Sequence, residues 1–209
     1  MPHTSRLAEL LLNIGAVNIN VKKPYKWSSG LLSPVYCDLR MLYGHPQARA
    51  LVIQAFITRI DSLHIQPDAI ASTEANSIGW GALIADRLDL PFAIVRRKPK
   101  SFGSKKQVEG DSVQDKHVLI VDELVSTGDT AVIATNALRE AGAIVTDMVS
   151  IFTFEMEKSL EKAQELGIRL HALSTFGIVL DIAVDQGRLE EALLSKAQEF
   201  SDDRENWQP

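Results

Sequence analysis

The spacing of hydrophobic positions changes near residue 68, and that change organises the whole chain. Before it, Leu7, Leu10, Leu11 and Ile14 recur at helical intervals and predict a helix from about Ser5 to Ile14. Gly30 and Pro34 then mark turns, and Val35 to Cys37 has the character of a short strand. Gln47 to Ile60 is predicted as an amphipathic helix, with Ala50, Ile53 and Ile60 on its apolar face. Beyond residue 68, short apolar runs take over: "PDAIAS", "FAIVRR", "HVLIVDE", "DMVSIFTF" and "IRLHALS". Helical periodicity lies between most of them, at Ile78 to Arg87, Ala131 to Ala141 and Met156 to Leu166. One short and one longer helical stretch follow Phe176. Strands alternating with amphipathic helices predict an α/β fold, with a central, mostly parallel sheet flanked by helices. Residues 1–209 read as a single domain, with 1–60 as an N-terminal add-on and 61–209 as the core and C-terminal helices.

Composition narrows the field. A chain of 209 residues with 45% hydrophobic and 23% charged content can bury a core without metals or disulfides. Its net charge of -5 gives no reason to expect nucleic-acid or membrane binding. Cys37 is the single cysteine, which excludes an internal disulfide and any multi-cysteine zinc site and suits a reducing compartment. The start lacks the uninterrupted apolar stretch of a signal peptide, and no run approaches a membrane span, so a cytoplasmic location is expected.

One connection breaks the alternation. "RRKPKSFGSKKQVEGDSVQDK" is long, polar and dense in lysine and arginine, between two predicted strands. It reads either as a solvated basic loop or as a mobile flap that meets an anion.

The chemistry concentrates in "HVLIVDELVSTGDTAV", His117 to Val132. Ligands of open parallel sheets bind beyond the carboxyl ends of the strands, where Asp122 and Glu123 are predicted to sit. A helix beginning near Thr130 would aim its first free N–H groups into the same space. Ser126, Thr127 and Thr130 add hydroxyl donors, and Gly128 lets the backbone curl close to a ligand. Acceptors for hydroxyls followed by donors for a phosphate describe a sugar-phosphate site. The plain alternative is a pair of strand-end acids before a capped helix. No Walker loop and no GxGxxG is present, which argues against a P-loop or a dinucleotide site.

This stretch resembles the ribose-5-phosphate loop of type I phosphoribosyltransferases. The resemblance implies binding of phosphoribosyl pyrophosphate (PRPP) with Mg2+, the ribose hydroxyls on Asp122 and Glu123, and the 5′-phosphate on Ser126, Thr127, Gly128, Asp129 and Thr130. Three further segments resemble the orotate phosphoribosyltransferases of that family. "WSSGLLSPVYCDLR" is similar to their base-binding region, implying roles for Tyr36 and Cys37, with Lys26 just before it as an offset substitute for the cation usual there. "LPFAIVRRKPKSFGSKKQVEG" is similar to their flap, implying Arg96, Arg97 and Lys100 as catalytic cations, with Phe102, Gly103, Lys105 and Lys106 on the same flap. "SIFTFE" and "ENWQ" resemble one bacterial branch. Thr73, Glu74, Ala75, Asn76 and Ser77 lie where the family has its pyrophosphate loop. The implied fold adds an N-terminal hood and a flexible flap, and the implied assembly is a homodimer whose flap reaches the partner's site. The implied reaction is PRPP plus orotate giving orotidine 5′-monophosphate and pyrophosphate.

Four positions depart from the family pattern. Leu32 stands where a cation is usual, and Phe102 where the flap has histidine. Glu74 places an acid in the pyrophosphate loop, and Asp129 another in the phosphate turn. Glu74 would repel pyrophosphate unless a cation lies between them, while Asp129 is harmless if it points outward. Either compensating cations restore the site, or the chain is a paralogue that binds PRPP or a nucleotide without this catalysis, or one that uses another base. Tyr36 is readable as the face for a flat base or as a core aromatic. Cys37 reads as packed and inert, and Arg40 as an anion ligand or the partner of an acid.

Overall fold

A computed structural model describes residues 3–26, 30–99 and 106–209. Its elements, in order, are α1 (His3–Asn13), β1 (Val17–Ile19), β2 (Tyr25–Lys26), β3 (Leu32–Ser33), β4 (Val35–Cys37), α2 (Pro46–Ser62), β5 (Ala69–Thr73), α3 (Ile78–Leu88), β6 (Phe92–Val95), β7 (Val108–Glu109), β8 (Val118–Val125), α4 (Asp129–Glu140), β9 (Asp147–Thr153), α5 (Glu157–Leu166), β10 (Arg169–Thr175), α6 (Phe176–Asp185) and α7 (Leu194–Asp202). The central sheet has six strands in the order β10-β9-β8-β5-β6-β7. All neighbours run parallel except β7, which closes one edge antiparallel to β6.

The predicted alternation is realised, and the inner strands are buried on both faces: every residue of β5 is buried, as are Val118 to Asp122 of β8 and Asp147 to Phe152 of β9. The strand order explains which helix covers which face. From β5 the chain moves outward through α3 to β6. From β8 it moves the opposite way through α4 to β9 and α5 to β10. Crossovers of one hand, leaving in opposite directions, place their helices on opposite faces. Two cores follow. One joins α3, α1, α2 and α6 to Leu119, Val121, Val149 and Ile151 of the sheet. The other joins Ala131, Ala134 and Leu138 of α4 to Ala71, Val118 and Ile120. Leu7, Leu11, Val52 and Phe56 from the first sixty residues belong to the first of these cores.

Several details differ from the sequence reading. The acids do not end their strand: β8 continues through Asp122 and Glu123 to Val125. Strand β6 stops at Val95, so Arg96 and Arg97 leave the sheet. The basic connection contains a short edge strand, Val108–Glu109. The β1–β4 pair and the β2–β3 hairpin were too short to show a period, and the two helical stretches after Phe176 are nearly equal, α6 having 10 residues and α7 having 9.

Candidate active site

The switch in chain direction falls between β5 and β8, and such a point opens a crevice beyond the strand ends. Pairing between these strands stops at Ala71 with Ile120, whereas β8 stays paired with β9 as far as Val125 with Thr153. The acids therefore lie on a supported strand beside open space. A cavity of about 580 Å³ fills it, lined by the loop after β5, by Asp122 and Glu123, by the turn from Ser126 to Thr130, and by Arg97. All five residues expected in the pyrophosphate loop and all five expected in the phosphate turn are thus brought to one cavity.

Helix α3 sets the first wall. Gly81 has no room for a Cβ, which would collide with the Ser72 hydroxyl and the Phe92 ring, so the helix lies close on the sheet. This closeness brings Ser77, just before α3, down to β8, where its hydroxyl donates to Asp122 Oδ1. The Glu123 N–H donates to the same oxygen at 2.8 Å. The Glu74–Ala75 peptide bond is cis. Outside the loop, the Tyr43 hydroxyl donates to the Asn76 carbonyl at 2.8 Å, and its ring stacks on Trp80 with centroids 4.7 Å apart. Tyr43 was not singled out from the sequence, where an isolated aromatic carries no signal.

The remaining oxygens, Asp122 Oδ2 and Glu123 Oε2, are buried and have no hydrogen-bond partner. Burial raises the Asp122 carboxyl to about 6, against the pull of the Ser77 hydroxyl, the Glu123 N–H and the Arg97 charge. Burial likewise raises Glu123 to about 7; a hydrogen bond from Asn76 opposes it, and the Asp122 charge reinforces it. Orphaned acceptors at a cavity wall are costly without a donor, and a pair of hydroxyls would supply two.

The opposite wall is the turn before α4. Gly128 takes φ +80°, a left-handed conformation that curls the turn and exposes the first N–H groups of α4. Asp129 is paired at this turn: Lys162 of α5 reaches its carboxylate at 2.6 Å, and the Thr127 hydroxyl donates to it at 2.8 Å. The hydrogen bond from Lys162, then that from Thr127, hold Asp129 below the usual carboxylate range. Lys162 also donates to the Thr127 carbonyl at 2.8 Å, pinning the turn. The acid in the phosphate turn is therefore neutralised from outside. The Thr127 hydroxyl, expected on the phosphate, is engaged by Asp129. Lys162 lies 33 residues away in sequence, and only the packing of α5 on α4 brings it here.

Glu74 is balanced in a similar way. Arg96 lies 3.7 Å from its carboxylate and 3.3 Å from that of Glu109 on β7, and the Arg97 N–H donates to Glu74 at 2.9 Å. Arg96 thus braces two acids and does not line the cavity, whereas Arg97 does. Lys106 also stands away, exposed beside a separate hollow between the end of the basic connection and α4. Lys100, Phe102, Gly103 and Lys105 lie outside the described residues, as do Trp27, Ser28 and Ser29 of the N-terminal motif.

None of the residues expected at the base lines the main cavity, although Cys37 lies within electrostatic reach of Glu123. Tyr36 is exposed, which removes the core-aromatic alternative, and its ring lies 5.7 Å from that of Tyr25. Cys37 is pushed up to about 12 by burial and then by the charges of Glu123 and Asp38, which makes it a poor nucleophile. Arg40 is the partner of an acid, gripping Asp38 with bonds of 2.7 and 2.8 Å. Lys26 is exposed and lies directly across the β2–β3 hairpin from Leu32, so a cation does stand beside the position that lacks one.

Comparison with known proteins gives this geometry a context. Residues 38–166 match the phosphoribosyl transferase domain family. The chain is 41% identical to the orotate phosphoribosyltransferase of Coxiella burnetii over 209 residues, covering 100% of both. It is 36% identical to that of Lactococcus lactis over 208 residues, again covering 100% of both. Among solved structures it is similar to the orotate phosphoribosyltransferase from Aeropyrum pernix, with a TM-score of 0.75 and 27% identity, covering 88% of this chain and 99% of that one.

Proposed function

The chain belongs to the phosphoribosyltransferase family, in its orotate-specific branch, and from that premise we propose that the crevice between β5 and β8 holds the phosphoribosyl donor. The enzyme transfers the 5-phosphoribosyl group of PRPP to orotate, giving orotidine 5′-monophosphate and pyrophosphate in pyrimidine biosynthesis. One observation carries the placement: Asp122 and Glu123, each with one buried carboxylate oxygen that lacks a partner, line a cavity whose far side is a helix-starting turn. A ribose diol satisfies the oxygens, and the 5′-phosphate takes the N–H groups before α4 and the Ser126 and Thr130 hydroxyls.

The reaction breaks the bond from ribose C1 to pyrophosphate and forms one from C1 to a ring nitrogen of orotate. Positive charge develops on the sugar and negative charge on the leaving group. Asp122 and Glu123 orient the ring and stabilise the sugar cation, while Arg97 and Lys100 take up charge on pyrophosphate. Arg96 prevents Glu74 from opposing them. Closure of the flap excludes water, which would otherwise hydrolyse PRPP. Magnesium fits the donor chemistry, because the Asp122 and Glu123 carboxylates keep lone pairs beyond those a diol takes and would suit a hard cation. When bound, it would neutralise part of the pyrophosphate charge. Tyr36 offers its ring, and the backbone at Cys37 its polar edge, to the flat base. Lys26 supplies a cation to that region. A homodimer in which the flap serves the partner's site, and a cytoplasmic location, complete the reading. Among the described residues, no helix is long and apolar enough to cross a membrane.

The test is orotate consumption followed by absorbance, with PRPP and magnesium. The wild type should turn over. The double variant Asp122→Asn, Glu123→Gln should lose PRPP affinity by at least about a hundredfold, because two charged acceptors are replaced by neutral amides. Unchanged affinity would refute the placement.

A further inference from the structure

The C-terminal tail is built into the molecule beside the phosphate turn. Trp207 is buried, donates its indole N–H to the Lys196 carbonyl at 2.7 Å, and packs edge-on against Phe200 with centroids 6.2 Å apart. Lys158 on α5 ties down Glu205 at 2.9 Å. Between Phe200 and Trp207 lies Arg204, which is half-buried, and its Nη1 donates to Ser126 Oγ at 3.5 Å. Arg204 thus joins the last turn of the chain to the first residue of the turn that precedes α4. A small hollow lined by Thr127, Met156, Asp203 and Arg204 separates the two.

A serine hydroxyl has one proton and two lone pairs. When an arginine N–H occupies a lone pair, the proton is left for another acceptor, and the neighbouring positive charge makes the hydroxyl a stronger donor. Ser126 lines the cavity, where the acceptor on offer is the 5′-phosphate. The charge of Arg204 also reaches Asp129, adding to the neutralisation begun by Lys162. The 3.5 Å separation is at the long end for such a bond, and a bound phosphate would draw the groups together. We propose that Arg204 is a positioning residue for the 5′-phosphate, holding the Ser126 oxygen as acceptor so that its hydroxyl donates to the ligand. The proposal rests on the assignment of the Ser126–Thr130 turn to that phosphate. It gives the C-terminal tail a part in substrate binding.

Calorimetric titration with ribose 5-phosphate, and separately with pyrophosphate, both with magnesium, tests it. Arg204→Ala should weaken ribose 5-phosphate by about tenfold, the loss expected for one charged hydrogen bond, and leave pyrophosphate unchanged. Arg204→Lys should recover part of the loss, which keeps the test usable if the alanine variant folds poorly. In a Ser126→Ala background, removal of Arg204 should cost little more, because the two act as a unit. Equal weakening of both ligands would mean that the arginine merely supports the tail, and would overturn the proposal. So would unchanged ribose 5-phosphate affinity, or effects that add fully with Ser126→Ala. Wild-type protein that ignores ribose 5-phosphate would sink the site assignment along with this inference, an outcome distinct from a variant that binds as the wild type does.

Discussion

Asp122 and Glu123 were legible as residues but not as chemical states. Their adjacency after an apolar run pointed to a site, yet the rise to about 6 and about 7 follows from burial that only the fold imposes. Both groups hold a proton more tightly folded than at their ordinary values of 3.8 and 4.5. The stability they contribute is therefore fully present below those ordinary values and is lost as pH rises through about 6 and 7. Ribose hydroxyls favour the ionised form, so ligand should restore what ionisation removes. Melting curves with and without ribose 5-phosphate should show a larger ligand-induced rise at high than at low pH across this window. Inorganic phosphate, which lacks the diol, controls for titration of the ligand's own phosphate. An equal pH dependence with inorganic phosphate would exclude the carboxylates as its source. The departures at Glu74 and Asp129 teach the complementary lesson. Each reads in sequence as an unwelcome acid, and each is balanced by a partner, Arg96 or Lys162.

At the scale of elements, short apolar runs announced the five parallel strands, because the inner ones, buried on both faces, carry few polar positions. The two- and three-residue strands did not, since a period needs more length to be seen. The junction of β8 with α4 was legible in outline from Gly128. Its structural role is sharper: its φ of +80° excludes a side chain on conformational grounds, and a Cβ would also come within 3.1 Å of the Ser159 backbone on α5. Gly128→Ala should destabilise the protein by about 1–2 kcal/mol, the scale of a left-handed non-glycine residue. It should also weaken ribose 5-phosphate more than pyrophosphate, because the turn shifts while the loop after β5 does not. Urea unfolding and the two titrations check this, and an alanine variant equal to wild type in both would show that the turn can adapt.

For the whole molecule, the proposed assembly can be tested by complementation. Sedimentation should give twice the chain mass of 23.0 kDa. Lys100→Ala and Asp122→Asn, each nearly inactive alone, should regain turnover when co-expressed, because a hybrid dimer carries one site built from intact parts. A dimer without such recovery would place the flap in its own subunit's site. The sequence by itself determined the fold class and the family, and it marked the stretch proposed to hold diol and phosphate, because these are written in local periodicity and in contiguous motifs. Tertiary structure decided the rest: the crevice between β5 and β8, the upward pull of burial on the acids' pKa, the Glu74–Arg96 and Asp129–Lys162 pairs, and the approach of Arg204 to Ser126. Those properties depend on residues distant in sequence meeting in space, or on how much water the fold excludes from a site, and neither quantity is carried by any local run of residues.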